Sequence, residues 1–553
     1  MALAPSVLEP SSNEIAGADL VELYFERGWT DGLPVDPPTP AKVNAVVRAL
    51  GGDPDFIECQ VAPRWGALTR QVLAINMVIA GCKPEYAPVV RAAMLALTER
   101  PFNLNGVQAT THMASPLVVV NGPIARAIGM NGGANAFGSG NRANATIGRA
   151  IRLIMLNVGG GRAPDFDKCT LGNPAKYTYC VCENEGDSPL APYHVEHGHA
   201  PDQSTVFVMA AEAPHSVTDH HCNDPQGILD TMCSAMSTIA SNTAVLGGHC
   251  AVVLGLEHAR TIARCSWTRN DIKNYLWLNS GNRFDALSRG HRYGKVYNRN
   301  LPKWYKRELD SRIPIVESPD RIHLFVIGGH AGRFSAFIPG WGHMSTPVLR
   351  PITGPSIMSN EQCDDGSDAR KQSMRQENSP PFLFDPRGIV NLAINPGAPR
   401  KTKLDGLRLG ILDNSKWNAN KLLRGASAAL SANIKFASVI YYVKQSFSKD
   451  AAPELIEQIA QENDIVLTAI GDCGSCCSCC IRDAIALERL NIPTAAIITT
   501  EFVKETELTV QTLGMPNFTP IVIDHPISSI TDEEIDRRVC QIEEQAKKIW
   551  TAY

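Results

Sequence analysis

The chain has 553 residues and a formal net charge of −4 at pH 7, with 44% hydrophobic and 20% charged residues. This length predicts two or three domains, and the nearly balanced charge gives no support for binding to nucleic acid or to an anionic membrane. No apolar run is long enough to span a bilayer, and the first residues lack the basic and apolar segments of a signal peptide. We therefore expect a cytoplasmic protein whose 16 cysteines are mostly reduced.

The first part of the chain is predicted to be a large α/β region. Residues 1–16 are predicted to be a disordered tail, and residues 17–358 to supply a substrate pocket. Short apolar runs followed by glycine predict strands at 117–120, 251–254 and 323–327. The strand–glycine–helix segments that begin at Val118 and Val252 resemble each other, which suggests an internal duplication.

A stretch rich in glycine and asparagine, residues 129–144, leads into a predicted helix at 146–156. Backbone N–H groups at such a helix start can bind an anion. Asn144, Arg149 and Arg142 are therefore candidates for binding a substrate carboxylate, and a plain glycine-rich turn is the alternative.

Three further residues of the first region are candidates for function. Cys182 and Glu183 lie on a predicted alternating strand, and His258 belongs to one of several groups of neighbouring histidines, cysteines and acids. Because adjacent side chains usually point apart, a structural role is the alternative for each of them.

The last part of the chain is predicted to be a separate domain. Residues 359–381 are polar and charged and predict a loop or linker, and we take the linker to extend over 359–405. The domain at 406–553 contains five predicted strands, each followed by a helix: 407–412, 437–443, 464–470, 494–498 and 520–523. Five such units predict a flavodoxin-like, doubly wound parallel sheet, and a 2-1-3-4-5 order would place the loops after its first and third strands side by side.

Five cysteines lie within eight residues after the third of these strands: Cys473, Cys476, Cys477, Cys479 and Cys480. Because the run 481–490 predicts a helix, we expect the cysteines on a strand-to-helix turn. Unpaired N–H groups and the helix dipole favour a thiolate there. We interpret Cys473 as a nucleophilic or redox thiol and Cys476 as the thiol that resolves its adduct.

Neighbouring polar residues complete the predicted site. Asp472 and Lys416 are expected to be catalytic, and Asn414 and Ser415 to bind substrate. Cys477, Cys479 and Cys480 allow two alternatives: a thiol relay, or a site for zinc, copper(I) or an iron–sulfur cluster. The sequence requires no cofactor, and Cys479 and Cys480 can also be explained by helix packing.

The final domain resembles the UGSC family of (seleno)proteins, whose motif is selenocysteine-Gly-Ser-Cys. The motif stands here as Cys473-Gly-Ser-Cys476, after Leu467-Thr-Ala-Ile-Gly-Asp and before Arg482-Asp-Ala-Ile-Ala-Leu. A more distant resemblance is to the selenoprotein B subunit of glycine reductase. The first region, with Arg27-Gly-Trp-Thr-Asp-Gly-Leu-Pro-Val and Asn141-Arg-Ala-Asn-Ala-Thr-Ile-Gly-Arg, resembles a region often fused to or encoded near UGSC domains.

These resemblances imply a reaction that needs a strongly nucleophilic, low-pKa chalcogen at the Cys473 position, and in the glycine reductase relative that reaction cleaves a carbon–heteroatom bond reductively. We expect a thiol-dependent enzyme that makes or breaks a carbon–sulfur or other carbon–heteroatom bond through a covalent Cys473 intermediate. Its expected partner is a small molecule, a carboxylate or an organosulfur compound, with homo-oligomerisation left open. A disulfide or persulfide relay and a metal-binding module are the alternatives.

Overall fold

The computed structural model describes residues 20–239, 241–288, 311–353, 384–390 and 393–551. The predicted tail at 1–16 and the larger part of the predicted linker lie outside these residues. The strands are β1 Ile57–Val61, β2 Gly66–Thr69, β3 Ser115–Asn121, β4 Cys180–Cys182, β5 Thr205–Ala211, β6 His215–Thr218, β7 Cys250–Leu254, β8 Gly281–Arg283, β9 Arg312–Pro314, β10 Ile322–Val326, β11 Phe334–Pro339, β12 Val348–Pro351, β13 Arg408–Asp413, β14 Ser438–Val443, β15 Ile465–Gly471, β16 Thr494–Thr499 and β17 Ile521–Ile523.

The α-helices alternate with these strands in both parts of the chain. They are α1 Leu20–Glu26, α2 Pro40–Ala49, α3 Arg70–Ala80, α4 Ala87–Leu97, α5 Leu104–Ala109, α6 Pro123–Ala127, α7 Arg142–Asn157, α8 Tyr193–Glu196, α9 Pro225–Met236, α10 Asn242–Leu246, α11 Leu256–Ala263, α12 Arg269–Asn279, α13 Phe284–Ser288, α14 Ala419–Asn433, α15 Pro453–Glu462, α16 Gly474–Arg489, α17 Val503–Thr512, α18 Asp532–Val539 and α19 Glu543–Trp550. The α/β character predicted from the sequence is confirmed.

Two four-stranded sheets form the centre of the N-terminal region. Their strand orders are β12-β5-β3-β4 and β10-β7-β11-β6. The two sheets share a buried core that includes Phe207 and Phe325, one from each sheet. Helices α3, α4 and α7 cover the outer face of the first sheet, and α9, α11 and α12 cover that of the second. Strands buried on both faces explain the continuous apolar runs in the sequence.

The two sheets have the same pairing pattern. In the first, β3 pairs in parallel with β4 and antiparallel with β5. In the second, β7 pairs in parallel with β10 and antiparallel with β11. The two segments that resemble each other in sequence, β3 with α6 and β7 with α11, thus occupy equivalent places. The duplication itself stays a prediction.

The C-terminal sheet has five parallel strands in the order β14-β13-β15-β16-β17. Counted along this domain the order is 2-1-3-4-5, so the first strand, β13, lies beside the third, β15. Strand β15 is buried along its whole length, as its apolar and β-branched sequence predicts. The loops that follow β13 and β15 therefore leave the same edge of the sheet.

Two helices of the C-terminal domain differ from the prediction. Helix α16 begins at Gly474, not near 481, so four of the five clustered cysteines lie in its first two turns. The predicted helix at 532–550 is two helices, α18 and α19, which are separated at 540–542. The local sequence predicted helix in both segments, but it predicted neither the start of α16 nor the break between α18 and α19.

The described end of the predicted linker packs onto the C-terminal domain. Arg400 forms an ion pair with the buried Glu488 at 2.7 Å, and the N–H of Ala398 donates to the same carboxylate at 2.7 Å. Lys401 donates its backbone N–H to the carbonyl of Trp550. Among the described residues, no helix combines the length and apolar character needed to cross a membrane.

Candidate active site

Cys473 lies at the junction between strand β15 and helix α16. Its backbone is extended, with φ −157° and ψ 163°, and it is the residue that caps the helix N-terminus. The N–H of Cys476 points to the Cys473 sulfur, while the Cys476 sulfur accepts from the N–H of Cys473 at 2.9 Å. This is a capping box in which two thiols take the places of the usual oxygen side chains.

The two thiols of Cys473 and Cys476 are in direct contact. Their Sγ atoms are 2.9 Å apart, and both cysteines are unbridged. Cys473 is 7% exposed, and Cys476 is fully buried. Hydrogen bonding with Cys476 and the charge of Lys416 lower the pKa of the Cys473 thiol to about 5. Burial acts in the opposite direction but is outweighed. Burial and the adjacent Cys473 raise the pKa of Cys476 well above its ordinary value.

These opposite pKa shifts give the two sulfurs different states at neutral pH. Cys473 is the thiol that ionises, and Cys476 keeps its proton, with its S–H donating to the Cys473 carbonyl at 3.1 Å. This division is suited to a nucleophile and a resolving thiol.

Lys416 supplies the positive charge of the site. Its Nζ is 3.6 Å from the Cys473 sulfur and 4.4 Å from the ring centroids of both Trp417 and Phe447. Burial alone would lower the pKa of Lys416, but the negative charges of Cys473 and its neighbours raise it. Lys416 therefore remains an ammonium ion that stabilises the thiolate.

Asn414 and Ser415 are held by the protein itself. Asn414 is fully buried and donates to the carbonyl of Ile470 at 2.9 Å. The Ser415 hydroxyl donates to the carbonyl of Lys444. Both residues join the loop after β13 to its neighbours and so fix the position of Lys416, whereas the sequence predicted direct contact with substrate.

Asp472 anchors the loop that follows the last strand. Its carboxylate accepts from the N–H groups of Ile527 and Ser528 at 3.0 and 2.9 Å, and from the Ser528 hydroxyl at 2.6 Å. The His525 ring lies 3.0 Å from the same carboxylate. Asp472 thus holds the loop at 527–528 against the cysteine segment.

The N-terminal region covers the cysteine segment. Helix α5 packs on α16, where Asn105 donates to the Ser478 hydroxyl at 3.0 Å. At Gly474, an added Cβ would lie 1.6 Å from the carbonyl oxygen of Ala109, so only glycine fits. Lys168 lies beside the same glycine and contacts the Phe502 ring, 5.7 Å from Nζ to centroid. The Cys473 site is therefore built by both parts of the chain.

The remaining cysteines of the cluster point into separate surroundings. Cys477 contacts the Thr506 hydroxyl at 3.3 Å, and Cys480 contacts that of Thr468 at 3.9 Å. Cys479 lies near the buried ion pair of Lys444 and Asp483. Burial raises the pKa of all three thiols, that of Cys480 to about 12. Within the described residues, no group of three or more His, Cys, Asp or Glu side chains has the arrangement of a metal site.

The predicted carboxylate-binding residues have other partners. Asn144 binds the backbone of Asn131 and so fixes the glycine-rich stretch. Arg149 forms a bidentate ion pair with Asp31, with both contacts at 2.8 Å, and Arg142 donates to the carbonyl of Gly81. No described hydrogen bond joins these three residues to the cysteine segment. The Asn141 side chain caps the N-terminus of α7, where the sequence predicts an anion-binding site.

Cys182, Glu183 and His258 occupy structural positions. Burial raises the pKa of the Cys182 thiol to about 12. Glu183 accepts from Arg269 at 3.0 Å and from the N–H of Val326 at 3.0 Å, so it joins the two sheets. His258 contacts the Ser335 hydroxyl at 2.7 Å and the carbonyl of Asp219 at 2.9 Å.

Sequence reasoning missed three residues around the thiolate. Phe447 and Trp417 enclose Lys416, and Glu505 is buried on α17 against the cysteine helix. The helical spacing of Thr506, Thr509 and Val510 could have indicated a buried face that includes Glu505. No local pattern indicated that Phe447 would meet Lys416.

A cavity of about 730 Å³ lies between the N-terminal region and the second half of α16. Trp65, Arg100 and Arg482 are among its lining residues, and Cys473 is not. The Arg482 guanidinium stacks on Trp65 and pairs with Asp450 at 2.9 Å. Cys473 therefore does not line this cavity. We place the candidate active site at Cys473 because of its thiolate, not at the cavity.

Comparison with known families shows a similarity in the C-terminal part of the chain. Residues 382–552 match the model of the UGSC family. The match begins before β13 and includes the described segment that packs on Glu488, as well as the whole cysteine segment. No curated protein matches the chain significantly.

Proposed function

We propose that this protein is a thiol-dependent enzyme that makes or breaks a carbon–sulfur or other carbon–heteroatom bond of a small organic molecule through a covalent adduct on Cys473. The observation that carries the proposal is the Cys473 sulfur at a helix N-terminus, 3.6 Å from the Lys416 ammonium and 2.9 Å from the Cys476 thiol. The 7% exposure of Cys473 favours a small substrate over a protein.

The proposed chemistry has two steps. The Cys473 thiolate attacks the carbon that carries the leaving group, which departs with its electron pair and leaves a thioether on Cys473. The Cys476 sulfur then attacks the Cys473 sulfur, and a disulfide forms. The substrate fragment leaves with the electron pair of the carbon–sulfur bond and takes up a proton. An external thiol reduces the disulfide for the next cycle. The distant resemblance to the selenoprotein B subunit of glycine reductase supports this reaction class.

A substrate with a carboxylate group would need a cation other than Arg149 as its partner, because Arg149 forms an ion pair with Asp31. Lys416, which contacts the thiolate, and Lys168, which lies beside Gly474, are the cations that we propose for this role. We propose a small carboxylate or an organosulfur compound as the substrate class.

The test uses bromoacetate as the probe and intact-protein mass as the readout. We expect Cys473→Ser to abolish the rapid adduct and Cys476→Ser to accumulate it without disulfide formation. Cys480→Ser, on the same helix and equally buried, is the matched control and should behave like the natural protein. Rapid labelling that persists in Cys473→Ser would contradict the proposal.

A thiol relay is the second candidate, and the contact of 2.9 Å between the sulfurs favours it. In that case Cys473 would carry sulfane sulfur or cycle between dithiol and disulfide without a carbon adduct. Cyanide-labile sulfur on Cys473 of the isolated protein would support the relay over the carbon–heteroatom reaction.

A further inference from the structure

Glu505 is a buried acid beside the cysteine helix that the two-thiol chemistry leaves unused. It lies in the first turn of α17, and its side chain is fully buried. Helix α17 packs against α16, and the neighbouring Thr506 contacts the Cys477 sulfur at 3.3 Å. Glu505 therefore faces the segment that carries Cys473.

Among the residues that the structure describes, the Glu505 carboxyl group has no hydrogen-bond partner of normal geometry. Both of its oxygens are buried and lack such a partner there, although the backbone of Ser478 lies close enough to favour the charged form. A buried polar group without a partner requires an explanation. Burial and the charge of Cys473 raise the pKa of Glu505 well above its ordinary value, against the opposing charge of Lys168. Both effects favour the protonated form of the Glu505 carboxyl group.

The other described groups around the thiolate are poorly suited to give up a proton. Lys416 is held as an ammonium ion by the thiolate itself, and Asp472 accepts hydrogen bonds from the loop at 527–528. Cys476 has a proton, but the proposed function uses its sulfur to resolve the adduct. Of the two described carboxylic acids at the site, Asp472 and Glu505, only Glu505 lacks a hydrogen-bond partner of normal geometry.

We propose that Glu505 is the proton donor of the Cys473 site. This inference rests on the proposed function and deepens it. When the thiolate attacks, the bond to the leaving group breaks, and the Glu505 proton passes to the departing atom, which leaves as the neutral acid. The site would then select substrates whose leaving groups are strongly basic, such as thiolates, alkoxides or amines, because these benefit most from protonation.

The test compares two small reagents that deliver the same methylthio group to Cys473. Methyl methanethiosulfonate releases a weakly basic sulfinate, whereas dimethyl disulfide releases a strongly basic methanethiolate. We expect Glu505→Gln to slow the reaction of Cys473 with dimethyl disulfide about 100-fold and to change that with the thiosulfonate less than about threefold. Glu507→Gln, exposed on the same helix, is the matched control and should change neither rate.

The natural protein provides a second measurement that does not depend on a variant. The groups that face Glu505 are Cys473, Cys477 and Lys168. With dimethyl disulfide, the rate should rise as Cys473 ionises and fall again at high pH as Glu505 loses its proton. With the thiosulfonate, the rate should rise and then stay level.

The outcomes separate the two proposals. Equal losses with both reagents in Glu505→Gln, no loss with either, or identical pH profiles in the natural protein would overturn the role of Glu505. If neither reagent modifies Cys473 faster than the exposed Cys540, the nucleophile itself, and with it the proposed function, would be overturned.

Discussion

At the scale of single residues, the site is a helix cap made of sulfur. Cys473 and Cys476 exchange hydrogen bonds with each other's backbone as Ser and Glu do in an ordinary capping box. The same contacts set the chemistry, because the buried Cys476 thiol and the Lys416 ammonium stabilise charge on Cys473. Removal of the ammonium should therefore raise the pKa of the Cys473 thiol and have a smaller effect on the stability of the fold.

Lys416→Met tests this electrostatic role, since methionine keeps an unbranched apolar stem between Trp417 and Phe447. We expect the pH midpoint for alkylation of Cys473 to move upward by about one pH unit, because an opposite charge within this distance is lost. Peptide mapping after timed labelling with iodoacetamide gives the midpoint. Lys421→Met, at an exposed lysine of α14, should leave it unchanged, and an unchanged midpoint in Lys416→Met would contradict the role of the ammonium.

At the scale of elements, sequence patterns predicted the parallel five-stranded sheet because its strands are short, apolar and separated by amphipathic helices. They did not predict the start of α16 at Gly474. Five cysteines and two serines carry little helical periodicity, and their burial depends on packing against α5 and α17. The same limit applies to Asn414, for which the sequence predicts substrate binding: its partner, the carbonyl of Ile470, is known only once β13 and β15 are paired.

Gly474→Ala tests the close contact between α5 and α16. An added Cβ would clash with the carbonyl of Ala109, so we expect a loss of about 1–3 kcal/mol in the free energy of unfolding. Urea denaturation followed by circular dichroism measures the loss. Gly186→Ala, where an added Cβ meets nothing within 4 Å, should change stability by less than about 0.5 kcal/mol, and equal effects at the two positions would argue against tight packing at Gly474.

At the scale of the whole molecule, the thiolate lies where the N-terminal region covers the C-terminal sheet. Asn105 and Ser478 are 373 positions apart in sequence, so no local pattern could indicate that they meet. For the same reason, no local pattern could indicate that Arg149, a predicted carboxylate-binding residue, pairs with Asp31, 118 positions away. The cover limits access to Cys473 and ties its reactivity to the contact between the two regions.

Asn105→Ala tests this cover. Loss of the buried amide removes the partner of the Ser478 hydroxyl and should lower stability by about 1–2 kcal/mol, while a bulky maleimide should modify Cys473 faster. Mass spectrometry of timed reactions gives the rate. Asn279→Ala, an exposed asparagine that binds its own helix, is the control. A maleimide rate that stays the same in Asn105→Ala would show that this contact does not restrict access.

The central claim is that Cys473 is a thiolate at neutral pH and differs in this from its neighbours. The most direct measurement is the alkylation rate of each of the five clustered cysteines by iodoacetamide between pH 4 and pH 10. Because the pKa of Cys473 is lowered, its rate should fall only as the pH drops through about 5 and stay level above pH 7, while the other four remain slow. A Cys473 rate that rises near pH 8.5, as for a free thiol at about that pKa, or that does not exceed the rates of its neighbours, would contradict the account.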